Sequence, residues 1–68
     1  MKNRLAFYRQ QKNLTQVELA KRAGISEQYY QRLEYQKHEP KVSTAQKLAK
    51  VLGVDVNKLF PLDYTRDK

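Results

Sequence analysis

The sequence predicts an all-α chain, a compact orthogonal bundle of about five short helices. Three observations predict it. Apolar residues recur at helical spacing along most of the 68 residues, and the only β-rich stretch, Val54 to Val56, is too short for a clean period-two run. The two glycines, Gly24 and Gly53, each follow an apolar-periodic segment, where a helix end favours a residue tolerant of positive φ. Side chains that cap helices stand just ahead of those segments, and both prolines, Pro40 and Pro61, fall in connections.

The first helix spans about residues 2–12, with Leu5 and Tyr8 inward and Asn13 as a left-handed stop. The second, about 16–23, is announced by Thr15 and Glu18 at capping-box spacing, with Leu14 and Leu19 as a hydrophobic staple around the cap. It turns Leu19, Ala20 and Ala23 inward and ends at Gly24. The third, about 27–35, is capped by Ser26, with Ile25 and Tyr30 at staple spacing. The fourth carries a box at Ser43 and Gln46, with a first turn that begins there or earlier. It directs Ala45, Leu48, Ala49 and Leu52 inward and ends at Gly53. A short fifth helix follows Asp55 and holds Leu59 and Phe60 before Pro61. Residues 1–61 thus form one domain, and 62–68 read as a frayed or partner-dependent tail.

Composition narrows the function. A chain this short buries only about 60% of its unfolded surface, which leaves little room for a deep catalytic pocket. No cysteine and a single histidine, His38, exclude disulfides, thiolate chemistry and a histidine-built metal site, and no acid/base pair, nucleophile motif or phosphate loop supports an enzyme. His38 reads as a loop residue without chemistry. No cofactor or small-molecule ligand is indicated. No apolar run approaches a membrane span or signal-peptide core, so the expected compartment is the cytoplasm, on the nucleoid when bound. Fourteen Lys/Arg against seven Asp/Glu give a net charge of +7, which favours a polyanionic partner: nucleic acid first, an anionic membrane second.

Helices two and three are joined by Gly24-Ile25-Ser26. Two short helices around a tight glycine turn make a helix-turn-helix, although a plain αα-hairpin has the same spacing. Ala20 lies where the two helices cross, and Ile25, Tyr30 and Leu33 pin the third helix to the core.

The stretch Leu14-Thr15-Gln16-Val17-Glu18-Leu19-Ala20, then Gly24-Ile25-Ser26, Leu33-Glu34, Pro40 and Leu48-Ala49-Lys50-Val51-Leu52-Gly53-Val54, resembles the Cro/C1-type (XRE-like) helix-turn-helix family. That family includes phage repressor DNA-binding domains and small bacterial or mobile-element regulators. The resemblance covers about residues 2–60 and implies a lambda-repressor-like fold that binds double-stranded DNA. Two positions depart from it. Tyr35-Gln36 stands where the family often has Asn-Gly, which implies a longer or differently capped exit from the third helix. Tyr30 replaces the usual Ile or Val inward, so its ring needs room and its hydroxyl needs a partner.

On the third helix Tyr30, Leu33 and Glu34 face inward, while Gln28 and Arg32, four residues apart, face outward with Tyr35 beside them. Gln suits adenine and Arg suits guanine in the major groove, and in the family these positions read bases. Tyr29 and Gln31 flank that face, and Tyr29 and Tyr35 are candidates for thymine methyls or backbone. Glu27, in the first turn, either accepts from cytosine or merely suits the helix dipole. Gln16 opens the second helix, where free N–H groups favour a phosphate, and the family uses this glutamine on the DNA backbone. Lys37, Lys41 and Tyr35 complete the expected backbone contacts. Arg9 and Glu34 match a family pair that joins the first helix to the third. Aromatic stacking on single strands is disfavoured, because the tyrosines sit on helices and not on a sheet platform.

A single reading helix covers few base pairs, so the expected form is a homodimeric regulator, a repressor before an activator, on a palindromic operator, with Val56, Leu59, Phe60, Leu62 and Tyr64 as the dimer surface or as closure of the core. The alternative from another class is a protein-interaction module, such as an antitoxin or transcription cofactor. The outward Gln28 and Arg32 argue against it.

Overall fold

A computed structural model describes residues 3–61 and contains α1 (Leu5–Gln11), α2 (Gln16–Ala23), α3 (Glu27–Glu34), α4 (Val42–Leu52) and α5 (Val56–Leu59). Among the described residues there is no strand. One core joins the helices. Leu5, Leu14, Leu19, Ala20, Ala23, Tyr30, Leu33, Ala45, Leu48, Ala49, Leu52, Leu59 and Phe60 are buried together.

Each start has a local cause. Thr15 Oγ1 accepts from the Glu18 N–H at 3.0 Å and Glu18 Oε1 accepts from the Thr15 N–H at 2.8 Å, a complete capping box. Ser26 caps α3 through the Tyr29 N–H, and Asp55 caps α5 through the Asn57 N–H.

One start differs from expectation, and one expected capping box does not form. α1 begins at Leu5 and not near Lys2, which lies outside the described residues. Asn3 lies ahead of the helix; its side-chain oxygen accepts from the Leu5 N–H at 3.0 Å while its amide donates to the Leu33 carbonyl at 2.7 Å. α4 begins at Val42 with Lys41 at the N-cap, and no side chain caps it. Ser43 and Gln46 therefore lie inside the helix and form no box. The reason is burial. Thr44 extends the inward stripe of Ala45, Leu48, Ala49 and Leu52 by one position and is itself buried. Helical phase at Thr44 outweighs a cap contributing about 1 kcal/mol.

Four helix ends share one geometry. Asn13, Gly24, Gln36 and Gly53 all have positive φ, between 58° and 74°. After each, the next N–H reaches back five residues: Leu14 to Arg9, Ile25 to Ala20, Lys37 to Arg32, Val54 to Ala49. These are Schellman closures. Gln36 answers the question raised by the missing Asn-Gly: α3 is not lengthened, and a glutamine takes the left-handed position.

Of the two readings of Leu59 and Phe60, a surface between copies or closure of the core, their burial fits the second: Leu59 is 0% exposed and Phe60 7%. Apolar surface in so short a chain is scarce, and α5 uses it to close the base of the bundle, where the Leu59 carbonyl accepts from the Arg4 N–H at 2.9 Å. Val56 is half-buried against the same core. Leu62, Tyr64 and the rest of 62–68 lie outside the described residues. No described helix is long and apolar enough to cross a membrane.

Candidate nucleic-acid interface

The outward face of α3 is set by what its inward face holds. Tyr30 and Leu33 are both fully buried, which fixes the rotation of the helix about its axis. Gln28, Arg32 and Tyr35 are then directed to the other side, where Gln28 and Tyr35 are exposed, as is Glu27 in the first turn. Tyr29 is half-buried, and its ring meets that of His38 edge-on with centroids 5.8 Å apart, so His38 packs the loop against α3. Lys37 and Lys41 are exposed in the connection from α3 to α4.

Behind this face lies a polar network on Glu34. Its Oε1 accepts from Arg9 Nε at 2.9 Å and from the Tyr30 hydroxyl; its Oε2 accepts from Arg9 Nη2 and Gln16 Nε2, each at 3.1 Å. Four donors match the capacity of an ionised carboxylate. Arg9 Nη1 donates onward to the Leu14 carbonyl at 2.9 Å. The Arg9 and Glu34 side chains are 13% and 7% exposed, so the pair is largely removed from water. Burial pushes the Glu34 carboxyl upward, yet the bonds from Arg9, Tyr30 and Gln16 outweigh it and hold it below its usual range. The bond to Glu34 raises the Arg9 guanidinium above its ordinary value. Burial first, then the bond to Glu34, pushes the Tyr30 phenol well above its ordinary value. The hydroxyl that needed a partner thus finds one on its own helix, one turn on.

Gln16 belongs to this network and is half-buried. Besides Glu34, its amide donates to the Tyr35 hydroxyl at 3.1 Å, and its Oε1 accepts from Gln31 Nε2 at 3.2 Å. Gln31 Nε2 also donates to Glu27 Oε2 at 3.1 Å. Asn3 is a contributor that sequence reasoning missed, and Gln31 was read only as flanking the outward face, not as a member of the network. Asn3 carried a legible signal, a capping residue ahead of an apolar run, but Gln31 carried none, since its partners are defined only once α2 lies against α3. The structure brings together Arg9, Gln16, Glu27, Glu34 and Tyr35. Gln28, Arg32, Lys37 and Lys41 make no side-chain hydrogen bond among the described residues and stay open to a ligand. No group of three or more potential metal ligands occurs among the described residues.

Known proteins resemble this chain in sequence and fold. A helix-turn-helix family model matches residues 5–59. An uncharacterized HTH-type transcriptional regulator of Methanocaldococcus jannaschii is 43% identical over 60 residues, 88% of this chain and 91% of that protein. The immunity repressor protein of Bacillus phage phi105 is 35% identical over 54 residues, 79% of this chain and 38% of the repressor. Among solved structures, SinR of Bacillus subtilis in complex with DNA superposes with a TM-score of 0.76 at 31% identity, covering 79% of this chain and 87% of that one. These relatives are transcriptional regulators and DNA-binding proteins, not enzymes. The chain belongs to the Cro/C1-type helix-turn-helix family of transcriptional regulators.

Proposed function

We propose that the chain is a sequence-specific repressor that binds a palindromic operator as a homodimer, with α3 of each copy in a major groove. One observation carries the reading. Gln28 and Arg32 stand four residues apart, with no side-chain hydrogen bond among the described residues, on a helix whose opposite face is locked to α1 and α2 through Glu34. Reading bases needs side chains that are free and a helix that is not. Gln28 and Arg32, with Tyr29 and Glu27 beside them, are the base contacts; Lys37, Lys41, Tyr35 and the corner at Gln16 lie at backbone level. The DNA in the SinR complex and the name of the phage relative support duplex DNA as the partner and repression as the outcome. Two half-sites about one helical turn apart, near 10 bp, suit a twofold dimer.

Binding curves on a duplex selected from a random pool, and on an unselected duplex, test this at several salt concentrations. Gln28→Ala or Arg32→Ala is expected to cost roughly 1–3 kcal/mol per half-site on the selected duplex and much less on the other. Lys37→Ala or Lys41→Ala weakens both alike and flattens the salt dependence by about 0.9 for each phosphate no longer neutralised. Equal losses on both duplexes for the Gln28 and Arg32 variants would remove α3 from the reading role.

A further inference from the structure

Gln16 is the residue whose family match implies a phosphate contact, and its hydrogen bonds argue against that role here. A glutamine amide has two N–H donors and one carbonyl acceptor oxygen. Both donors are engaged inside the protein, one with Glu34 Oε2 and one with the Tyr35 hydroxyl, and the oxygen accepts from Gln31. The orientation is forced, because turning the amide over would set Oε1 against a carboxylate oxygen. Gln31 is fixed likewise between two acceptors, Gln16 Oε1 and Glu27 Oε2. A bond to the sheltered, ionised Glu34 is stronger than one to a solvated phosphate, so exchanging the first for the second gains nothing.

Tyr35 has what Gln16 lacks. Its hydroxyl accepts from Gln16, which leaves its own proton free to be donated elsewhere. The residue is 56% exposed at the C-cap of α3, two residues before exposed Lys37. We propose that the Tyr35 hydroxyl, and not the Gln16 amide, donates to a DNA phosphate at the corner of α2 and α3, and that Gln16 is a positioning residue which turns that proton outward. This rests on the DNA-binding reading above.

The test uses the full chain with Tyr35→Phe, Gln16→Ala and the double variant. The probes are the selected duplex, an unselected duplex, and copies of the selected duplex carrying one methylphosphonate in place of each phosphate in turn. Tyr35→Phe is expected to weaken binding to both unmodified duplexes about tenfold or more, the loss of one hydrogen bond to a charged phosphate oxygen. The salt slope should not change, because no ion pair is lost. The double variant should bind no more weakly than Tyr35→Phe, and one methylphosphonate should weaken the unmutated chain while leaving Tyr35→Phe unaffected. Multiplying losses in the double variant, or a Tyr35→Phe chain that binds like the unmutated one and feels every methylphosphonate equally, would overturn the assignment. Either result leaves the DNA-binding reading standing, whereas an unmutated chain that binds no duplex overturns both. Gln31→Ala gives a second handle if a Gln16 variant fails to fold: it frees the Gln16 oxygen without touching Tyr35 and is expected to weaken binding less than Tyr35→Phe, an equal or larger loss counting against the assignment.

Discussion

Glu34 accepts from Arg9 of α1, Gln16 of α2 and Tyr30 of its own helix, so its charge state couples three helices. Removing one partner strands the other. Glu34→Gln or Arg9→Ala is expected to cost roughly 3–5 kcal/mol in urea melts. The pH dependence follows from the direction of each shift. Glu34 binds its proton less readily folded than unfolded, so its contribution is present above the unfolded value, near pH 4, and is lost as pH falls below it. Tyr30 holds its proton more tightly folded than unfolded, so its contribution is present below about pH 10 and is lost as pH rises beyond it. Melts across that range should show a loss at each end. Glu34→Gln should flatten the acid limb and Tyr30→Phe the alkaline one; an alkaline limb unchanged by Tyr30→Phe would contradict the buried hydroxyl. Arg9, Glu34 and Tyr30 were legible in sequence, because charge and an inward aromatic leave a trace at known spacing. Gln16 was legible as a helix opener but not as a member of the network, since an amide carries no signal of a partner eighteen residues away.

The helix ends show the same division at the scale of elements. Glycine and asparagine signal left-handed stops because they tolerate positive φ, so Asn13, Gly24 and Gly53 were legible. Gln36 adopts φ 64° without that chemistry, and its hydrogen bonds, Gln36 N–H to Leu33 and Lys37 N–H to Arg32, outweigh the conformational cost. Two opposite substitutions follow. Gln36→Gly should stabilise by about 0.5–1 kcal/mol, the left-handed penalty relieved less the entropy glycine loses on folding. Gly24→Ala should destabilise by about 1 kcal/mol for the reverse reason; an added Cβ meets nothing within 4 Å, so φ alone sets the cost. Urea midpoints moving in the same direction for both would mean that backbone conformation is not what limits these ends. Of the two starts open for α4 the earlier one holds and the box does not form, because a capping pattern at Ser43 and Gln46 is local, while the phase of the helix is decided by the core against which Thr44 packs.

At the scale of the whole molecule, the burial of Leu59 and Phe60 decides how folding and assembly relate. Each copy closes its own core, and the Arg4 N–H to Leu59 carbonyl bond ties the start of α1 to α5 within that copy. The homodimer proposed on DNA would then join two folded units and would not complete a shared core. Phe60→Ala should accordingly cost about 3–5 kcal/mol of folding stability in a single copy, as for other buried aromatics. Concentration provides the discriminating measurement. When folding is inseparable from dimerisation, stability gains about 1.4 kcal/mol for each tenfold rise in protein concentration. For this chain without DNA the urea midpoint should stay fixed over a hundredfold range, and DNA should raise it by binding the folded form. A midpoint that climbs with concentration in the absence of DNA would mean that two copies share apolar surface, and would return α5 to the interface.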